Sequence, residues 1–299
     1  LIGHNDHIAW GVTNVNPDTQ DLYFESPSSL RATHEIIKVR GEPDVNLTIY
    51  QSVHGPIIND VVTNYGSISE QPIALKWTAL MPGDTTVKSL LGIDYAQNWQ
   101  QFTVALQYFV VPSQNFVYAD QQGNIGYYVP GKIPVRNGWS GEYPIEANQH
   151  FEWDGYIPFN QLPHVYNPKE NLIATANNAV VNKDYPYALT FRWREPPYRI
   201  ERILDLLKQS NTLTVNDFEK IQNDTDSYLW RDLKPELMQV SPTGLDSRVG
   251  LQILQNWNGN TDLNSQGALI FAYWYKELIQ MPMDSISFGS DWPEPLFIK

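Results

Sequence analysis

The spacing of apolar residues changes part-way along this chain, and that change limits the folds open to it. Through about residue 130, apolar residues form short runs rich in β-branched and aromatic side chains, bounded by turn residues, which is typical of strands. From Pro196 onward they recur every three or four residues, which is typical of amphipathic helices. Strands first and helices later favour an α+β fold. We therefore expect a β-rich portion over residues 1–195 and a mainly helical portion over residues 196–299.

Two hairpins and one helix are predicted inside the β-rich portion. Residues 34–40 and 47–53 should pair across a turn at 41–44, and residues 116–118 and 125–128 across a turn at 120–124. Apolar residues at three-to-four spacing predict a helix over residues 95–108. Residues 14–21 are predicted as a polar turn, and residues 131–195 as long, turn-rich connections.

In the helical portion, one apolar stripe follows the prolines at 196 and 197, and it consists of Ile200, Ile203, Leu204 and Leu207. Thr214 and Asp217 form a variant of the capping box that opens a second helix. Further helices are predicted over residues 249–257 and 267–280.

Charge and cysteine content exclude several function classes. The chain has 33 acidic and 20 basic residues and a net charge of −13, so it repels phosphate backbones and anionic membrane surfaces. The absence of cysteine excludes a disulfide framework, a thiolate metal site and a cysteine nucleophile. The longest apolar run, residues 268–275, is far shorter than the ~20 residues of a membrane span. We therefore expect neither a nucleic-acid partner nor a membrane one.

Two polar segments could carry chemistry. The Asn177–Asn178 pair offers neutral amide donors that could stabilise a developing oxyanion, and such a pair is also common in simple turns. Asp18, Gln20 and Asp21 form an oxygen-rich loop of the kind that holds calcium, or a solvated turn. No Gly-x-Ser-x-Gly segment supports a serine–histidine–aspartate triad.

The aromatic content permits a function of another class. Ten tryptophans and seventeen tyrosines are compatible with an acidic carbohydrate-binding module or a glycosidase. Such a protein needs an exposed stacking platform or a pair of positioned carboxylates. Sequence alone identifies neither, and aromatic side chains more often build a core. A carbohydrate-binding module or glycosidase is therefore kept as the alternative function of this chain.

Three segments, in a fixed order, carry a resemblance to a known family. They are Gly3 to Asn14 continuing to Asp21, Asn115 to Tyr127, and Ile173 to Asn178 followed by Lys183 to Pro186. In this order they resemble the penicillin acylase family of N-terminal-nucleophile amidases. The resemblance covers nearly the whole chain, and it implies a fragment of the β-subunit with part of the αββα layered sandwich of these hydrolases.

The resemblance also implies a mechanism and partners. Members of the family cleave an amide by attack from the hydroxyl of a chain-terminal serine that self-cleavage of a precursor exposes. The free α-amino group acts as the base, since such an amine titrates at ~7.7–8.0. Leu1 cannot be that nucleophile, so we expect the serine upstream of it and no activity from these residues alone. The implied partners are the α-subunit, the rest of the β-subunit and a small N-acyl amide substrate.

Several residues take roles through the resemblance. Asn177 would donate its side-chain amide to the oxyanion, Asn14 would donate its backbone N–H, and Arg199 would orient the serine and substrate. From the residues alone, Arg199 could equally be an arginine at a helix start that pairs with Glu195 or Glu201. Gln114 stands where the penicillin G branch has an apolar side chain, so a phenylacetyl preference does not follow. The acyl pocket would be lined by Ile2, Val12, Gln114 and Ile93.

A structural calcium ion is implied by the penicillin G branch. Its ligands would be the carboxylates of Asp18 and Asp21 and the backbone carbonyls of Gln20 and Gly141. The branch's later aspartate falls near Ala188 or Leu189, neither of which can replace a carboxylate, and one more carboxylate would come from a partner subunit. The family is largely exported, so we expect a periplasmic or secreted protein.

Overall fold

The computed structural model describes residues 1–62, 70–147, 150–191 and 196–280. They fall into two compact units, one within residues 1–191 and the other within residues 196–280. In the first unit the strands are β1 Gly3–His4, β2 Ile8–Asn14, β3 Gln20–Phe24, β4 Arg31–Ile37, β5 Val45–Gln51, β6 Ile73–Trp77, β7 Gln114–Asp120, β8 Ile125–Tyr128, β9 Pro134–Arg136, β10 Ile145–Glu146, β11 Trp153–Tyr156 and β12 His164–Tyr166. Its helices are α1 Thr86–Tyr95 and α2 Trp99–Leu106.

A five-stranded antiparallel sheet in the order β1-β2-β7-β8-β12 organises the first unit. The hairpin predicted around residues 120–124 is confirmed as β7 and β8. Its turn is held by the carboxylate of Asp120, which accepts hydrogen bonds from the backbone N–H groups of Gln122 (2.9 Å) and Asn124 (3.0 Å). Gly123 supplies the left-handed φ of +84° that this turn requires.

The helices α1 and α2 supply one side of the main core. Ile93 of α1 and Phe102 and Leu106 of α2 are fully buried and pack in one cluster with sheet residues such as Phe116. The prediction of a single helix over residues 95–108 is therefore wrong in its extent. Asn98 begins a new helix there, since its side chain accepts a hydrogen bond from the backbone N–H of Gln101 at 3.0 Å.

Three smaller sheets complete the first unit. The predicted hairpin of residues 34–53 is confirmed as β4 paired with β5. β3 pairs antiparallel with β6 and parallel with β10, and β9 pairs with β11. Residues 131–195 were predicted as connections, but their described part contributes the short strands β9 to β12. β2 ends at Asn14 and β3 begins at Gln20, so the turn predicted over residues 14–21 is shorter than expected and lies between two sheets.

The second unit is helical, as predicted. Its elements are α3 Tyr198–Leu207, α4 Val215–Gln222, α5 Tyr228–Leu237, α6 Leu245–Asn256 and α7 Gln266–Gln280. The capping box at α4 is confirmed, because Thr214 and Asp217 bond each other's backbone N–H groups. The helix α5 has no counterpart in the sequence analysis.

Aromatic packing holds the second unit together. Trp230 of α5, Trp257 after α6 and Phe271 of α7 are buried, with ring centroids 4.9–5.7 Å apart. Gly267 lets α7 pack directly against the Trp257 side chain, because a Cβ at this position would lie 2.3 Å from it. Across the described ranges, no helix has the length and apolar character that crossing a membrane requires.

Candidate active site

The C-terminal end of β2 and the start of β7 bring two predicted site residues side by side. Asn14 lies directly opposite Gln114 in the strand register. The Gln114 Nε2 atom donates to the Asn14 Oδ1 atom at 2.9 Å. Asn14 is exposed, whereas only 9% of Gln114 is accessible. The pair therefore forms a polar edge of the sheet where it meets solvent.

Asn177 reaches this edge from a distant loop. Its side-chain Nδ2 atom donates to the backbone carbonyl oxygen of Asn14 at 2.8 Å, although 163 positions separate the two residues. Its backbone is left-handed, with a φ of +61°, a conformation that asparagine adopts more readily than most residues. The structure thus joins Asn177 and Asn14, the two residues that the resemblance assigns to one oxyanion site.

The neighbouring Asn178 is used differently. Its Oδ1 atom accepts from the backbone N–H of Ala176 at 3.0 Å, and its Nδ2 atom donates to the carbonyl oxygen of Ala179 at 2.8 Å. Both bonds are local and shape the loop, as in an asparagine turn. Asn178 therefore behaves as a turn residue. Asn177 differs from it, because its side chain makes a long-range hydrogen bond.

A buried polar network lies beneath Asn14, and sequence reasoning did not identify it. Asn115 is fully buried and donates from Nδ2 to the Asn14 carbonyl oxygen and to Thr13 Oγ1, each at 3.0 Å. Its Oδ1 atom accepts from the Tyr127 hydroxyl at 2.6 Å. Thr13 Oγ1 lies 2.7 Å from Thr175 Oγ1, which ties the Asn177 loop to β2. The only indication in the sequence was that Asn115 and Tyr127 are the two end residues of one of the three segments that resemble the family.

The chemistry open to this cluster follows from its neutral donors. The side chains of Asn14, Gln114, Asn115 and Asn177 are uncharged amides held in a hydrogen-bonded arrangement. Amide dipoles that are fixed in advance stabilise negative charge as it develops, with little reorganisation at the moment of reaction. The arrangement suits binding of a carbonyl oxygen that becomes an oxyanion.

The remaining predicted residues lie in varied environments. Ile2 is exposed over 68% of its surface, and Val12 is partly buried against the main core. Ile93 is fully buried inside that core, so in this structure it offers no surface to a ligand. Arg199 lies in the first turn of α3, in the other unit, with an exposed side chain. The roles of these four residues stay predictions.

The predicted calcium loop contains a buried carboxylate with one unbonded oxygen. Asp21 Oδ2 accepts from Arg136 Nε at 2.9 Å and from Trp153 Nε1 at 2.5 Å. In the described structure Asp21 Oδ1 has no hydrogen-bond partner. Gly141 lies against it, since a Cβ there would be 2.7 Å from Oδ1. Burial raises the pKa of Asp21 above its usual value, and the opposing charge of Arg136 does not cancel that effect.

Asp18 and Arg136 complete this loop. Asp18 Oδ2 accepts from the backbone N–H of Phe191 at 2.7 Å, and its backbone N–H donates to the Leu189 carbonyl at 2.8 Å. Arg136 Nη2 donates to the Asp18 carbonyl oxygen at 2.7 Å. Within the described ranges no group of three or more acidic or histidine side chains is arranged to hold a metal ion. The loop therefore offers two carboxylates and carbonyl oxygens, already partly neutralised by one guanidinium.

A second charged cluster lies on the β3–β6 sheet. His54 is stacked on Tyr23, with ring centroids 3.9 Å apart, and sits between two carboxylates. Its Nδ1 atom is 2.6 Å from Glu25 Oε1, and its Nε2 atom is 2.7 Å from Glu152 Oε1. Lys76 Nζ donates to Glu152 Oε2 at 2.6 Å. These contacts give His54 a structural role.

Known proteins similar to this chain form one group. Residues 1–294 match the family model for penicillin amidase. The chain is 30% identical to the penicillin acylase 2 proenzyme of a Pseudomonas species, over 93% of this chain and 37% of that protein. It is 29% identical to penicillin G acylase from Escherichia coli (89% of this chain, 33% of that protein). It is 27% identical to the acyl-homoserine lactone acylase QuiP of Pseudomonas aeruginosa (76% and 29%).

These relatives are much longer than the chain, which spans about a third of their length. Among solved structures, a thermostable penicillin G acylase from Alcaligenes faecalis superposes with a TM-score of 0.76 at 24% identity. The match covers 99% of this chain and 59% of that one. It confirms the α+β fold expected from the sequence, the layered fold of N-terminal-nucleophile hydrolases.

We expect the cluster around His54 to make stability sensitive to acid. Burial acts to raise the pKa of Glu25, but hydrogen bonds from Ser52 and His54 outweigh it and hold the pKa below the usual 4.5; the pKa of Glu152 is also lowered. A carboxyl whose pKa is lower in the folded state stabilises the fold above its unfolded pKa. That contribution is lost as the pH falls through the folded-state pKa values, below about 4.5.

Thermal unfolding of the full-length protein between pH 6.5 and 3.5 checks this expectation. Wild type should lose melting temperature below about pH 4.5, and Glu25→Gln should show a weaker dependence on pH in that range. Glu35→Gln, at an exposed position of β4, is the control and should follow wild type. Identical pH profiles for Glu25→Gln and wild type would contradict the assignment.

Proposed function

The chain belongs to the penicillin amidase family, and we propose that the full-length protein hydrolyses the amide bond of N-acyl substrates through an N-terminal serine. Its relatives are named as acylases of penicillins and of acyl-homoserine lactones, which makes amide hydrolysis the shared reaction. The observation that carries the proposal is the bond from Asn177 Nδ2 to the Asn14 carbonyl oxygen. It joins two segments of the resemblance into one group of neutral donors.

The proposed reaction proceeds in two steps. The serine hydroxyl oxygen attacks the amide carbonyl carbon, and its proton passes to the free α-amino group of the same residue. The carbonyl oxygen becomes an oxyanion, which the side-chain amide of Asn177 and the backbone N–H of Asn14 stabilise. The C–N bond then breaks, and the amine leaves with the proton. Water releases the acyl group from the serine in a second attack of the same kind.

The other members of the site are proposed from the resemblance. Arg199 would orient the serine and substrate, and the acyl group would lie among Ile2, Val12 and Gln114. Ile93, which is fully buried in the core, is left out of the proposed pocket. The serine would belong to the part of the full-length protein outside these 299 residues. Processing of a precursor into an α-subunit and a β-subunit is supported by the word proenzyme in the name of one relative. Export to the periplasm or beyond is proposed on the same family grounds.

The aromatic residues give little support to the carbohydrate-binding alternative. Trp230, Trp257 and Phe271 pack against one another in the core of the helical unit, and Trp99 packs on Phe102 and Tyr118. These rings serve as core rather than as a stacking platform. Family membership favours amide hydrolysis.

We further propose a structural Ca²⁺ ion at the loop of Asp18, Gln20, Asp21 and Gly141. The support is Asp21 Oδ1, a buried carboxylate oxygen that has no hydrogen-bond partner in the described part of the chain. Such an oxygen is the hard ligand that calcium prefers. Arg136 already neutralises part of the loop, so the ion needs the further carboxylate expected from a partner subunit. When bound, the ion would stabilise the turn between β2 and β3 and take no part in the reaction.

Replacement of Asn177 tests the proposed oxyanion site. In the processed enzyme, Asn177→Ala should lower kcat by roughly 10²–10³ and leave KM close to wild type, because the donor acts where charge has developed. Asn177→Gly removes the same donor without placing a Cβ at a φ of +61°, so it should show the same loss.

Asn178→Ala is the matched control for these variants. Since Asn178 bonds only within its own loop among the contacts described, we expect a much smaller loss of kcat. Active-site titration of each variant corrects for incomplete self-cleavage. Equal small losses at both positions, in fully processed enzyme, would leave Asn177 as a turn residue.

The 299-residue chain alone should not hydrolyse amides. Without a nucleophile it has no covalent route, whatever its donors contribute. Chromogenic N-phenylacetyl and longer N-acyl anilides should show no turnover above buffer with the purified chain. Clear turnover would mean that the nucleophile lies within these residues and that the proposed serine is wrong.

Calcium binding is testable by thermal unfolding of the full-length protein. Wild type should melt at a higher temperature in millimolar Ca²⁺ than in a chelator, because an ion that binds only the folded state stabilises it. Asp21→Asn should abolish this difference, while Asp94→Asn, at an exposed position on α1, should keep it. No difference in wild type would show that Arg136 alone neutralises the loop.

A further inference from the structure

Asn115 is a fully buried amide whose donor and acceptor groups both meet partners, which come from the two neighbouring strands β2 and β8. It lies opposite Thr13 in the pairing of β2 with β7. Its Nδ2 atom donates to the Asn14 carbonyl oxygen and to Thr13 Oγ1, both at 3.0 Å, and its Oδ1 atom accepts from the Tyr127 hydroxyl at 2.6 Å. An amide bonded on both its donor and its acceptor side is held in one orientation.

The Asn14 carbonyl oxygen is the point where this buried amide meets the candidate site. It accepts one bond from Asn115 on the buried side and one from Asn177 Nδ2 at 2.8 Å. A carbonyl oxygen has two lone pairs, and two donors occupy both. The position of this oxygen is therefore set from below, by a residue with no access to solvent.

The direction of the Asn177 amide depends on that oxygen. The –NH₂ group is planar, so once one N–H points to the Asn14 carbonyl, the direction of the other N–H is fixed. A displacement of the Asn14 carbonyl would turn the Asn177 amide with it. Thr13, the other acceptor of Asn115, bonds Thr175, which lies in the Asn177 loop. Through Thr13, Asn115 therefore also holds the base of that loop.

We propose that Asn115 is a positioning residue of the oxyanion site, acting through the Asn14 carbonyl on the Asn177 amide. The proposal rests on the proposed function, in which Asn177 stabilises the oxyanion. Asn115 cannot touch the substrate, because none of its surface is exposed. It fixes the donor geometry before the substrate arrives, and small errors in such geometry cost about 10²-fold in rate.

A double-mutant cycle in the full-length, processed enzyme tests the proposal. Asn115→Ala should lower kcat per titrated active site by about 10- to 10²-fold, with KM close to wild type. In an Asn177→Gly background the same change should cost at most about twofold, because the residue through which Asn115 acts is then absent. Asn115→Leu, which keeps most of the buried volume, should behave alike and replaces Asn115→Ala if that variant is not processed.

Tyr128→Phe is the matched structural control. It removes a hydrogen bond made by a buried residue of the same strand, from the Tyr128 hydroxyl to the Phe159 carbonyl oxygen at 2.6 Å, and leaves every bond of Asn115 in place, so it should lower the melting temperature while kcat stays within about threefold of wild type. Equal losses of kcat for Asn115→Ala in both backgrounds, or a loss in Tyr128→Phe as large as in Asn115→Ala, would overturn the proposal. If Asn177→Gly alone leaves kcat unchanged in active enzyme, the proposed function of Asn177 fails instead.

Discussion

The pairing of β2 with β7 is the interaction on which the candidate site depends. It runs without interruption from Ile8 opposite Asp120 to Asn14 opposite Gln114. Because antiparallel register fixes every opposing pair at once, the core residues of both strands and the polar residues at their ends are placed together. A slip of one residue would move Asn115 out of the interior and separate it from Asn14. The packing of the core thus sets the geometry of the polar edge.

Hydrogen bonds to a buried amide fix the positions of the polar groups in the candidate site. A buried amide without partners costs about 1–3 kcal/mol, and Asn115 avoids this cost only because Asn14, Thr13 and Tyr127 meet it from different directions. Burial raises the pKa of the Tyr127 hydroxyl well above its usual value, so it remains a donor. A network that is fully bonded in one arrangement is poorly bonded in any other, and this gives the edge a single conformation.

Local patterns in the sequence predicted those parts of the fold that local interactions determine. The turn at residues 120–124 and the capping box at Thr214 were predicted because their side chains bond the nearby backbone. The prediction of one continuous helix over residues 95–108 was wrong because the spacing of apolar residues does not reveal that Asn98 caps the start of a new helix. The contacts of Asn115 with Asn14 and of Arg136 with Asp21 span about a hundred positions, so no local pattern contains them. The residues alone pointed to the Asn177–Asn178 pair and to the oxygen-rich loop but left a turn open as the alternative for each. The role of Asn14 came only from the resemblance, and all these roles stay predictions.

The left-handed backbone at Asn177 restricts what the gene can encode there. The position requires both tolerance of a φ of +61° and a side-chain donor that reaches the Asn14 carbonyl oxygen. Glycine satisfies the first requirement and aspartate nearly so, but neither donates, whereas glutamine donates from a longer side chain and lacks the backbone tolerance. Single-base changes from an asparagine codon lead to aspartate, serine, threonine, lysine, histidine, tyrosine or isoleucine. Of these, aspartate lacks a donor, and histidine, which also tolerates a positive φ, carries a ring in place of the short amide. No single-base change other than a synonymous one therefore reproduces the contact of Asn177 with the Asn14 carbonyl oxygen.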